Sequence, residues 1–141
     1  MRVVLGFLLI MTASLASAAA QVEGVRIWPA PDHTRLVLDT AGAVEHNVFS
    51  LSDPSRLVID LKNVSLKTDF SKVDLEGSPI RRIRSARRNG SDLRVVLDLA
   101  SDIKPRSFAL EPNQQYGHRL VVDLIDEKGS RIERATSPTV T

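Results

Sequence analysis

Four times in this sequence an arginine stands four residues before an aspartate inside an apolar run: Arg35 and Asp39 in TRLVLDT, Arg56 and Asp60 in SRLVIDL, Arg94 and Asp98 in LRVVLDL, and Arg119 and Asp123 in HRLVVDL. Two kinds of chemistry use these residue types. Carboxylates serve as general acids and bases, and an arginine fork holds a carboxylate or phosphate through two parallel hydrogen bonds. The setting decides between them. Each motif is an apolar, β-branched strand signal closed by the acid, and residues four apart on a strand share a face. Acids that recur at strand ends, each with an arginine on its own face, point to structural ion pairs rather than to a catalytic dyad.

Other reactive constellations are missing. His33, His46 and His118 have neither the HExxH nor the Cys-His spacing of a zinc site, cysteine is absent, and no serine lies in a nucleophile elbow. RRNGSD reads as a hairpin and not as a phosphate-cradling loop. No cofactor and no metal is expected. One local feature stands out: PIRRIRSARR puts Arg81, Arg82, Arg84, Arg87 and Arg88 within eight residues. On a strand, Arg82, Arg84 and Arg88 share a face with Ile80, while Ile83 faces the other way with Arg81. The strip reads either as a charge-guarded edge strand or as a site for anions, carboxylates or phosphates.

The spacing of the motifs shows what positions them. Arg35, Asp39, Val44, Phe49 and Leu51 are matched 59 residues later by Arg94, Asp98, Ile103, Phe108 and Leu110, and Arg56 and Asp60 are matched 63 residues later by Arg119 and Asp123. The chain contains one unit twice, with a longer loop, EPNQQYGH against SDPS, in the second copy. Alternation predicts strands at 22–28, 34–40, 44–51 and 55–61, then at 80–86, 92–99, 103–110 and 119–125. In the four that carry the Arg-to-Asp motif, Leu, Ile and Val line one face and Arg, Val and Asp the other, as in an antiparallel sheet buried on one side, whereas the mixed pattern of 44–51 leaves its inward face open. Residues 62–78 are a join that fits a short strand or one helical turn equally well. The expected fold is all-β, a sandwich of two symmetry-related four-stranded sheets built from the internal repeat.

Residues 1–20 combine an early Arg2, an apolar run from Val3 to Met11 and the small-residue stretch ASLASAAA. That is the pattern of a secretory signal peptide, with cleavage after Ala18 or Ala20. Its removal takes the net charge from +2 to +1, so bulk charge gives no case for nucleic acid. A cysteine-free exported domain of this length must rely on core burial. Residues 127–141 lose the alternation and read as a linker or tail. Trp28 and Tyr116 are the only large amphipathic aromatics. Either could stack on a sugar ring or simply pack.

The doubled RLVIDL strands, the opening VEGVRIW, the central IRRIRSARRNGSDLRVVLDL and the closing HRLVVDLID together resemble the AMIN domain. The likeness covers about Val22 to Asp126 and is in particular to the domain at the N-terminus of periplasmic N-acetylmuramoyl-L-alanine amidases. It implies a periplasmic, non-catalytic module that binds peptidoglycan and directs its enzyme to the division septum, with divisome or envelope proteins as further partners. The zinc-bearing catalytic domain of such amidases has no counterpart in these 141 residues. The matching positions, and so the implied ligand-binding residues, are Arg35, Asp39, Arg56, Asp60, Arg82, Arg84, Arg94, Asp98, Arg119 and Asp123. Similar domains also stand at the N-terminus of type IV pilus secretins. The competing expectation is therefore a protein-docking or wall-anchoring module of an envelope complex.

Overall fold

The computed structural model describes Ala13 and residues 19–126, so most of the expected signal segment and the whole expected tail lie outside the described residues. Among the described residues nine strands form: β1 (Ala20–Pro29), β2 (His33–Ala41), β3 (His46–Leu51), β4 (Arg56–Leu61), β5 (Val64–Leu66), β6 (Ile80–Arg88), β7 (Asp92–Leu99), β8 (Ile103–Leu110) and β9 (His118–Asp126). The join between the copies contains both of the expected alternatives. It supplies strand β5 and then a single 3-10 turn, Phe70–Lys72, whose first free N–H, that of Ser71, donates to the Asp69 carboxylate.

The strands make two sheets, one in the order β5-β1-β2-β9-β8 and the other β3-β4-β7-β6. The fold is the all-β sandwich expected from the repeat, with a fifth strand from the join added at one edge. Each copy is divided between the sheets. Copy one gives hairpin β1-β2 to the first sheet and β3-β4 to the second, and copy two gives β6-β7 to the second and β8-β9 to the first. At the centre of each sheet, strands of different copies pair antiparallel: β2 with β9, and β4 with β7. The repeat thus maps β1-β2-β9-β8 onto β6-β7-β4-β3.

The inner faces meet in one core. Leu36, Leu38, Leu57, Ile59, Leu61, Leu97 and Val122 are fully buried, and Phe70 and Ile80 close its rim. These are the alternating residues of the four central strands, as period-2 patterning requires. In β3, whose face the sequence left open, Val48 pairs with Ile59 and packs on the core while Phe49 points out. The Asn89-Gly90 hairpin has both residues at positive φ, 52° and 78°, the geometry for which that dipeptide is suited.

Two β-bulges correct the expected facing of Ile80. The register slips between Ile80 and Arg82 in β6 and between Val22 and Gly24 in β1, which are equivalent positions of the repeat. The extra residue, Arg81 or Glu23, lets Ile80 and Val22 turn into the core while Arg82 and Gly24 stand on the outer face. Strict alternation without the bulge would have put Ile80 beside the arginines.

Leu38 and Leu97 are repeat-related and each fully buried. Replacing either with alanine should cost about 3 kcal/mol, and the two costs should agree within about 1 kcal/mol because the cavities are equivalent. Urea unfolding of the two variants measures both quantities.

Candidate functional site

The outer faces carry the charged residues, and strand register decides which of them meet. Across β2 and β9, Arg35 stands opposite Asp123 and Asp39 opposite Arg119. Across β4 and β7, Asp60 stands opposite Arg94 and Arg56 opposite Asp98. Only one pair of each set closes. Arg35 donates to Asp123 through Nε at 2.8 Å and Nη2 at 2.9 Å. Its repeat mate Arg94 donates to Asp60 at 2.7 and 2.8 Å.

The other two aspartates are bonded from the flanking strands. Arg26 of β1 holds Asp39 at 2.8 and 2.7 Å. Arg84 of β6 holds Asp98 at 2.7 and 2.8 Å, with Arg82 Nε adding a bond at 3.2 Å. Arg56 and Arg119, whose register partners are thus occupied, turn to main-chain carbonyls: Arg56 Nε to Pro54 at 3.0 Å, and Arg119 to Gly117 and Glu111, each at 3.3 Å. Arg88 adds a second arginine to Asp60 at 2.9 Å.

A thin apolar layer supports these pairs. Val37, Val58 and Val121 face outward yet are nearly fully buried. Phe49 lies opposite Val58, and Phe108 opposite Val121. The Arg94 and Arg35 guanidinium groups lie over those rings at 5.9 and 5.7 Å. On the first sheet, Arg26 lies 5.2 Å from both the Trp28 and the Tyr116 ring, and Arg119 is 5.0 Å from Tyr116.

All ten residues anticipated from the sequence stand on the outer faces, but in unequal circumstances. Arg35, Arg84 and Arg94 engage Asp123, Asp98 and Asp60, respectively, each through the two donors of one guanidinium edge, Nε and Nη2. Arg56, Arg82 and Arg119 keep donors turned to backbone or solvent. Arg26 was not anticipated, and Arg88 was anticipated only as part of the arginine strip. Arg26 had a signal: Val22, Val25 and Arg26 are matched 58 residues on by Ile80, Ile83 and Arg84, one residue short of the offset of the neighbouring strands. A cavity of about 390 Å³ opens beside Asp60 and Arg88, rimmed by Glu45, Lys62 and Asp92.

The arginine bonds fix the charge states. Hydrogen bonds from Arg94, Arg84 and Arg35 hold the Asp60, Asp98 and Asp123 carboxyls below their ordinary 3.8, against the opposing effect of burial. The same bonds raise Arg94, Arg84 and Arg35, and the bond to Asp39 raises Arg26. A carboxyl whose folded pKa is depressed adds stability that is whole above its unfolded pKa and is lost as pH falls through the folded one. Thermal stability should therefore be level from pH 7 to 5 and decline below about pH 4. Asp123, the most enclosed of the four, should lose about 1 to 2 kcal/mol as Asn at neutral pH, with a shallower acid limb in a melting series from pH 7 to 2.5.

With this geometry established, two similarities bear on identity. Over 110 residues the chain is 36% identical to N-acetylmuramoyl-L-alanine amidase AmiC of Neisseria meningitidis serogroup B, covering 75% of this chain and 26% of that protein. Over 125 residues it is 31% identical to N-acetylmuramoyl-L-alanine amidase AmiC of Escherichia coli O6:H1, covering 84% of this chain and 30% of that protein. The chain therefore spans well under half the length of these relatives. The family model described as AMIN domain matches residues 24–124, from the bulge of β1 to near the end of β9, and the chain belongs to the AMIN domain family.

Proposed function

We propose that this chain is a non-catalytic targeting module, exported to the periplasm, that binds peptidoglycan and brings a cell-wall amidase to the division septum. The observation that carries the reading is the doubled outer face, on which aspartates hold arginine forks in fixed positions. The similarity to proteins named as N-acetylmuramoyl-L-alanine amidases supports it, because the bond in that name joins the sugar and peptide parts of peptidoglycan.

The ten candidate residues divide by role. Arg35, Arg84 and Arg94, with Asp39, Asp60, Asp98 and Asp123, are the frame, since their hydrogen-bonding edges face one another or Arg26. Arg56, Arg82 and Arg119 are the groups left to meet the carboxylates of peptidoglycan. Arg82, with its side chain 68% exposed, has the longest bond to its aspartate. Each contact is weak and screened by salt. Two related faces on one module add such contacts through multivalency when the ligand is a polymer.

Co-sedimentation of the purified chain with peptidoglycan sacculi tests this. The chain should pellet with sacculi, more at low than at physiological salt. Arg56→Ala combined with Arg82→Ala should reduce the bound fraction at least threefold without lowering the melting temperature by more than a few degrees. Failure to pellet at either salt would overturn the reading in favour of a protein-docking module. Export generates a separate prediction. Ala20 begins β1 and its side chain belongs to the core. Cleavage after Ala18 keeps it, so intact mass of the periplasmic protein should place Ala19 first.

A further inference from the structure

The repeat offers a comparison within one molecule, because each feature of the first sheet's outer face has a counterpart on the second. Arg26 and Arg84 occupy equivalent positions and hold Asp39 and Asp98 with the same two-bond geometry. Around them the faces differ. Trp28 pairs with Arg35 in register, whereas the residue paired with the equivalent Arg94 is Ala86. Tyr116 lies in the loop EPNQQYGH, where the first copy has only SDPS. The second sheet thus forms the same ion pair with no aromatic beside it. Trp28 and Tyr116 are not required by the frame.

They are nevertheless gathered at one place from 88 positions apart in the chain. Their rings flank the guanidinium of Arg26 at 5.2 Å each, while Trp28 remains 49% and Tyr116 44% exposed. Arg119 stacks on Tyr116 at 5.0 Å and bonds only main-chain carbonyls, because Asp39 is taken by Arg26. A shallow open groove is lined by Arg26 and Trp28 of β1 and by Lys72 and Asp74 beside the 3-10 turn, and Tyr116 and Arg119 lie outside it. Exposed rigid rings take the C–H face of a pyranose at small entropic cost, and an arginine that has no carboxylate partner takes an oxyanion through its remaining donors.

We propose that Trp28, Tyr116 and Arg119 form a subsite for an acidic sugar, with the pyranose on the aromatic rings and its carboxylate on Arg119. The proposal rests on the peptidoglycan reading and deepens it: glycan is bound by the first sheet's outer face, and the second face is left for peptide carboxylates. The acid that fits is a muramic acid residue whose lactyl carboxylate is free of peptide, the group left on the sugar when the N-acetylmuramoyl-L-alanine bond is hydrolysed.

Trp28 is the single tryptophan, so its emission reports on this site alone. The purified chain should show a saturable change in emission with peptide-free glycan strands, and at least threefold weaker binding to neutral N-acetylglucosamine oligomers. Arg119→Gln should abolish that preference, and Tyr116→Ala should weaken binding of both ligands about tenfold, with melting temperatures within a few degrees of the parent. Silent emission with glycan strands, or equal affinity for acidic and neutral sugars, would overturn the subsite. A response to stem peptides instead of glycan would overturn it too. Sacculus pelleting by the same preparation separates the two readings. A chain that pellets while Trp28 stays silent refutes only this subsite, and a chain that does not pellet refutes the wall-binding reading itself.

Discussion

The two-bond arginine-aspartate pair at the centre of each sheet is the constraint on which the rest depends. A carboxylate as enclosed as Asp123 is tolerable only with its charge matched and its lone pairs filled, and Arg35 does both from the neighbouring strand. The pair forms in a single register. A shift of β9 by one residue would carry its apolar side chains to the outer face, and a shift by two would leave Asp123 without Arg35. Core alternation and charge pairing specify the same alignment, the agreement between levels that gives a sequence one structure.

The central pairs also join the two copies. Arg35 comes from the first copy and Asp123 from the second, while Asp60 comes from the first and Arg94 from the second. Each partner of a central pair is therefore supplied by the other copy. By contrast, Arg26 with Asp39 and Arg84 with Asp98 are pairs within one hairpin. A single copy would present two separate hairpins with apolar inner faces and unpaired β2 and β4 edges, and isolated two-stranded hairpins are marginal in water. Duplication with division between the sheets gives every central strand two neighbours and every central carboxylate its arginine.

Much of this was legible in the sequence because it depends on period-2 patterning. The central strands, the inner residues Leu36, Leu57, Val95 and Leu120, and the outward placement of the ten charged residues all follow from alternation and repeat. Three features did not. Which carboxylate each arginine selects depends on side-chain reach across a twisted sheet, so Asp39 leaves its register partner Arg119 for Arg26. The bulge of β6 adds one residue at Arg81 without a compositional mark, and Ile80 consequently faces the core, whereas Gly24 marks a possible bulge in β1. Strand β5 and the 3-10 turn come from a join of scattered apolar residues, where Val64 and Phe70 are fixed by the core they meet rather than by a local period.

Symmetry also separates what the fold needs from what it carries. Features present in both copies, namely the arginine-aspartate pairs, the Phe49 and Phe108 platforms and the bulges at β1 and β6, serve the sandwich itself. Features present once need another cause. Gly24 stands where Arg82 reaches Asp98, and a side chain there would begin 3.6 Å from the Asp39 carboxylate. The first face therefore has a single arginine on this aspartate and two exposed rings, whereas the second has two arginines on its counterpart and no ring beside them. Opposite sides of one sandwich thus present different chemistries, one suited to planar apolar surfaces with a nearby cation and the other to anions. A polymer in which sugars alternate with charged peptide branches offers both.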